Sequence, residues 1–122
     1  MKSDLKKLQD KVWKECRRII FNQYGDTCYT CGATNLCGSN HQLGHFIPSG
    51  ACGAFLRYDL RNLRPQCMRC NIHLGGNGAE FYRKMEAEIG KKALKQLFQD
   101  KNKTVKARDH YEKILKEYVE LP

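Results

Sequence analysis

Two Cys-x-x-Cys knuckles, Cys28/Cys31 and Cys67/Cys70, constrain this chain more than any other feature. Each brings two thiolates within reach of one ion, and together they supply the four sulfurs of a closed tetrahedral zinc site. A closed site has no open position for substrate, so the zinc is expected to be structural. Any chemistry then falls to polar residues between and just after the knuckles, where His45, Asn62 and Asn71 stand. Cys37 lies in the intervening loop and is an alternative ligand, whereas Cys16 and Cys52 read as small buried apolar residues.

At 122 residues the simplest organisation is a single domain, 1–122, small enough that a metal cross-link would supplement its apolar core. The formal charge of +9 suits a polyanionic partner, because cations near phosphates release condensed counterions. That charge is concentrated in the flanks: residues 1–25 hold seven Lys/Arg against three Asp/Glu, and residues 91–122 hold nine against five. A secreted disulfide framework is disfavoured by the paired knuckles, the odd total of seven cysteines and the lack of a signal peptide. The expected location is the cytoplasm, that of a bacterial host if the chain is phage-encoded. No apolar run is long enough for a membrane span, so no membrane partner is expected.

Ser3 is a natural N-cap, and Leu5, Leu8, Val12, Cys16 and Ile19 recur at helical spacing, with Trp13 and Ile20 widening the stripe. The spacing predicts a basic amphipathic helix ending near Tyr24, with Lys14, Arg17 and Arg18 among its outward cations. Residues 26–90 then form the zinc core, with a strand over 41–47, a second extended piece at Phe55–Tyr58, and a helix whose buried stripe is Phe81, Tyr82, Met85 and Ile89. Gly90 reads as a helix stop. Residues 91–122 hold a short helix marked by Leu94, Leu97 and Phe98, then a last helix starting near Thr104.

Phosphodiester hydrolysis needs a base to deprotonate water and a cation to stabilise the charge that builds on phosphate. His45 is the candidate base, since histidine titrates near neutrality. Asn71 is the candidate ligand for magnesium or manganese through its amide oxygen. Arg57, Arg61, Arg64 and Arg69 surround these residues in sequence and are candidate phosphate contacts, with Lys14, Arg17 and Arg18 as further DNA-binding candidates.

The stretches GHFIPSGA (44–51), LRYDLRN (56–62), QCMRCN (66–71), LGGN (74–77) and EIG (88–90) resemble the phage NinG, or Rap, family of recombination nucleases. That family is similar to the wider HNH, or ββα-metal, endonucleases. The resemblance implies that His45 is the general base, that Asn62 braces the loop orienting it, and that Asn71 ligates the catalytic cation. Phage endonuclease VII, a junction resolvase, is similar in having Asn directly after its final zinc cysteine. HNH proteins commonly carry Asp or His before the base as a second metal ligand, whereas this chain has Gly44 there. His41 and His73 are the alternatives for that ligand, with Asp59 a further neighbour.

The expected fold is α+β and mainly helical: a small zinc-stapled ββα-metal core flanked by basic amphipathic helices. The expected function is a structure-selective endonuclease acting on branched DNA such as Holliday junctions and D-loops, using His45 and a divalent cation. Two scissile strands suggest a homodimer. The competing expectation is a non-catalytic zinc module that binds DNA or RNA, for which Gly44 is the best argument. A zinc-stapled protein-interaction domain is a third, which leaves the charge unexplained.

Overall fold

The computed structural model describes residues 1–122. Helix α1 (Asp4–Tyr24) starts where the Ser3 hydroxyl accepts the Lys6 N–H and stops at Gly25. At φ 74°, Gly25 occupies a conformation that a side chain would strain, and its N–H closes onto the Phe21 carbonyl. Strand β1 (Gln42–His45) pairs antiparallel with β2 (Leu63–Gln66), with Gly44 opposite Arg64 and His45 opposite Leu63. Between them runs a four-residue helix, α2 (Ala54–Arg57), and a π-helical turn over Arg69–His73 follows β2. Helices α3 (Gly78–Asp100) and α4 (Ala107–Tyr118) complete an α+β, mainly helical chain with one two-stranded sheet. No helix is long and apolar enough to cross a membrane.

The hairpin lies between two apolar clusters. Val12, Cys16, Ile19 and Ile20 of α1 pack with Leu43 and Leu63 of the sheet and with Tyr111, Ile114 and Tyr118 of α4. Leu56 of α2 and Ile47 pack instead with Phe81, Met85, Leu94 and Leu97 of α3. Each large apolar side chain so buried contributes about 1.5–3 kcal/mol. The two chain ends are tied across this structure: the Arg18 guanidinium donates to the Tyr118 carbonyl, and the Tyr118 hydroxyl donates to the Tyr58 carbonyl.

Three expectations need correction. The segment read as extended, Phe55–Tyr58, is largely the short helix α2, and the second strand is Leu63–Gln66. Four residues make barely one turn, too few for a helical period to declare itself. Tyr82 does not share the buried face of Phe81; it is 44% exposed. Consecutive helical residues diverge by about 100°, and in α3 the buried face follows Phe81 and Met85, four residues apart, which leaves Tyr82 at its edge. The last helix begins at Ala107, later than Thr104. Gly90, the expected stop, has φ 84° and ψ 164° and breaks α3 into two helical halves.

Candidate functional site

The chain leaves α1 directly into the first knuckle and leaves β2 directly into the second. The Tyr29 N–H donates to the Pro65 carbonyl, which seats the first knuckle on the strand leading to the second. The Cys28, Cys31, Cys67 and Cys70 sulfurs all lie within 4.8 Å of one another. Cys31 Sγ and Cys67 Sγ are 3.8 Å apart. Zn–S bonds of about 2.3 Å in a tetrahedron require S···S separations of about 3.8 Å, so the donor set fits zinc. Burial works against ionising Cys28, but the Thr30 hydroxyl and backbone N–H groups outweigh it and bring the thiol down to about 6. Asn77 Nδ2 and the Cys70 N–H add donors to Cys70 Sγ and Cys67 Sγ. Cys37 is exposed and outside the cluster, while Cys16 and Cys52 are buried in the apolar cores.

His45 closes β1, and its Nε2 lies 2.8 Å from the Arg57 carbonyl oxygen. A carbonyl can only accept, so Nε2 carries the proton and Nδ1 keeps its lone pair. The imidazole stacks on the Trp13 indole of α1, with centroids 5.4 Å apart and planes at 7°. Burial lowers the His45 pKa from the ordinary value of 6.5; the bond to the Arg57 carbonyl opposes that shift and the Arg57 charge reinforces it. The ring is therefore neutral at pH 7.

Asn62 is wholly buried and fixes the chain just beyond His45. Its Oδ1 accepts the Ile47 N–H at 2.7 Å, its Nδ2 donates to the Ile47 carbonyl at 3.0 Å, and its own carbonyl accepts the Phe46 N–H. His45 lines a cavity of about 420 Å³ with Lys6, Asp10, Trp13, Ser49 and Arg57. Arg57, which also lines the cavity, has its Nε buried without a hydrogen-bond partner and pairs with no carboxylate.

Asn71 is not brought to this cavity. Its Nδ2 donates to Gln42 Oε1 at 2.8 Å. Gln42 and His45 are three residues apart on one strand, so their side chains leave opposite faces. His41 shares the His45 face but stacks on Phe21, centroids 3.7 Å apart, and its Nε2 meets the Gly25 carbonyl. Phe21 lies eight residues beyond Trp13 on α1, about 12 Å along the axis, so the two histidines serve different ends of that helix. His73 is exposed in the π turn, and Asp59 caps the turn before β2 and pairs with Arg61.

The face left bare by Gly44 is occupied. A Cβ at residue 44 would overlap Gln66 Oε1 and lie 2.7 Å from Gln66 Cδ. Gln66 Nε2 donates to the Thr30 hydroxyl and the Gly76 carbonyl, so this carboxamide, packed over Gly44 of β1, joins the end of β2 to the first knuckle and to the turn after the second. Gly44→Ala is expected to cost about 1–3 kcal/mol, the usual penalty for overpacking. The loss should be smaller when introduced into a Gln66→Ala background. Urea denaturation of the four variants measures both quantities, and a Gly44→Ala protein as stable as wild type contradicts this account.

The basic candidates divide by environment. Arg64 is 3% exposed: its guanidinium pairs with Glu88, donates to the Leu63 carbonyl, and lies over the Tyr24 and Tyr29 rings. It is a buried structural cation, which corrects its assignment to DNA. Arg61 is held by Asp59 and Asp100, Arg18 by Glu15 and the Tyr118 carbonyl, and Arg17 lies over Phe21. Lys14 and Arg69 are exposed without an ion-pair partner, and Arg57 lines the His45 cavity. Sequence reasoning missed Trp13 as the wall beside His45, having counted it only as part of an apolar stripe.

The family model described as Bacteriophage Lambda NinG protein matches residues 1–121. The chain belongs to the NinG family. A Protein ninG of Escherichia phage 933W is 30% identical over 76 residues, which cover 62% of this chain and 36% of that protein. The Protein ninG of Escherichia phage lambda is 29% identical over the same length and coverage. The matched segment thus spans about a third of these NinG relatives. No solved structure matches the chain.

Proposed function

We propose that this NinG-family chain is an endonuclease that cuts branched DNA recombination intermediates, with His45 as general base in an HNH-type core. The observation that carries the reading is the state of His45: neutral, fixed through Nε2 by the Arg57 carbonyl, stacked on Trp13, and lining a cavity with an unpartnered arginine. His45 Nδ1 takes a proton from water as the oxygen attacks phosphorus in line. The bond to the 3′ oxygen breaks, leaving a 5′ phosphate and a 3′ hydroxyl after the proton reaches the leaving oxygen. Arg57 offsets the charge on the non-bridging oxygens. The sequence likeness to junction-cutting HNH enzymes supplies the substrate class, and the exposed cations of the flanking helices suit phosphate contacts that select shape over base sequence.

Zinc fits the four cysteines and would staple the core without entering the chemistry. Magnesium or manganese, where bound, stabilises charge on a phosphate and its leaving oxygen. The protein donors for such an ion do not converge: Asn71 faces away from His45, residue 44 has no side chain, and His41 and His73 lie elsewhere. No step is therefore routed through that ion. This thin donor set is what favours the second reading, a zinc module that binds nucleic acid without cutting it.

Incubating the chain with a synthetic four-way junction and a matched linear duplex, in buffer with magnesium, tests the proposal. Nicks near the branch that DNA ligase can seal are expected. No cleavage of any branched or linear DNA favours the binding module. The cutting rate should fall only in acid, with a midpoint below 6.5, because burial depresses the His45 pKa below that value. A limb centred above 6.5 assigns the base elsewhere.

A further inference from the structure

Phe46, Tyr82 and Phe98 form an aromatic cluster on the opposite side of the hairpin from His45. Phe46 follows His45 directly, and strand alternation turns its ring toward α3, where its centroid lies 6.2 Å from Tyr82 and 5.6 Å from Phe98. Tyr82 and Phe98 are 6.3 Å apart, although one precedes and the other follows the Gly90 break in α3. Phe46 also packs on buried Phe81, which anchors the cluster in the core. Tyr82 and Phe98 remain 44% and 37% exposed, so their rings offer surface that no other part of the chain covers.

The charges beside the cluster specify what it fits. Lys91 and Lys95 precede Phe98 by seven and three residues, and Lys101 follows it by three, so all three share its side of the helix. Each is exposed, and none has a carboxylate within ion-pair distance; Asp100, the acidic residue nearest in sequence, is held by Arg61. Apolar protein partners have no need of unpaired ammonium groups around the contact. Single-stranded DNA does, since it presents flat π faces spaced along a polyanion.

We infer that Phe46, Tyr82 and Phe98 form a stacking platform for unpaired nucleobases, with Lys91, Lys95 and Lys101 contacting the phosphates. The inference rests on the nucleic-acid partner proposed above and narrows it to DNA with a single-stranded segment. Because Phe46 and His45 are adjacent, the platform and the His45 cavity flank the same strand end, and bases that leave the duplex at a branch would be held one residue from the candidate base.

Fluorescence anisotropy with a labelled oligothymidylate of about twelve nucleotides, within the usual site size of single-strand-binding folds, tests this in magnesium-free buffer. Wild type should bind, and Tyr82→Leu/Phe98→Leu should bind at least roughly tenfold more weakly, since two base–aromatic stacks are lost. Affinity for a matched duplex should not change. Tyr82→Phe/Phe98→Tyr keeps both rings and should bind like wild type, which separates stacking from mere apolarity. Equal affinity of the leucine variant and wild type overturns the inference, as does absence of single-strand binding by wild type. Loss of a dimer in sedimentation with oligonucleotide affinity unchanged would assign the face to a second copy instead. The assay needs no catalysis, so ring-dependent binding by a chain that never cuts DNA would retain this inference while removing the nuclease one.

Discussion

His45→Ala is expected to lower the rate of the proposed four-way-junction cleavage by roughly 10²- to 10⁴-fold, the contribution of a positioned general base, and to leave the affinity for uncut junction unchanged. The selectivity of the effect follows from where the ring sits. His45 lies at the end of a strand whose backbone is fixed by Asn62, and its removal breaks only the stack on Trp13 and one bond to the Arg57 carbonyl. The exposed cations that would hold DNA belong to other elements. Cleavage assays beside gel-shift measurements separate the two quantities. A variant that cuts at the wild-type rate removes His45 from the chemistry, and one that loses binding and cutting together makes the ring a structural part of the interface.

Removing zinc should have the largest effect on stability. Structural zinc contributes on the order of 10 kcal/mol in small zinc-dependent folds, comparable with the whole stability of a typical domain. Here the four thiols draw together the end of α1 and the exit of β2, which Thr30 and Gln66 also bind to each other, and β2 in turn pairs with the strand that carries His45. The purified protein is expected to release one zinc per chain in a colorimetric metal assay. Chelation should replace a cooperative thermal transition, followed by circular dichroism, with a broad one at lower temperature. Cys70→Ser should behave like the chelated protein. An unchanged melt after complete chelation would reduce the cluster to four neighbouring thiols with no structural task.

The legible parts of this fold were those carried by local pattern. The knuckles declare themselves by spacing, α1 by the Ser3 cap and its apolar stripe, and the break in α3 by Gly90. What stayed hidden depends on partners distant in sequence. Arg64 looks like any basic residue near a site until Glu88, Tyr24 and Tyr29 close around it. Gly44 looks like a missing ligand until Gln66, its diagonal neighbour across the sheet, fills the space above it. Trp13 reads equally well as core or as site, and only the His45 ring decides between them. Short α2 carries too little period to be told from an extended segment.

The clasp between the first and last helices bears on when the protein becomes competent during its own synthesis. Trp13 is carried by α1, and α1 is held against the sheet by α4 through Tyr111, Ile114 and Tyr118. The knuckles and the hairpin can close once residue 70 has emerged from the ribosome, whereas the α4 side of the α1 packing forms only after Tyr118 has emerged. A nascent chain could therefore gather its four thiols before the helix that carries Trp13 gains its full support beside His45.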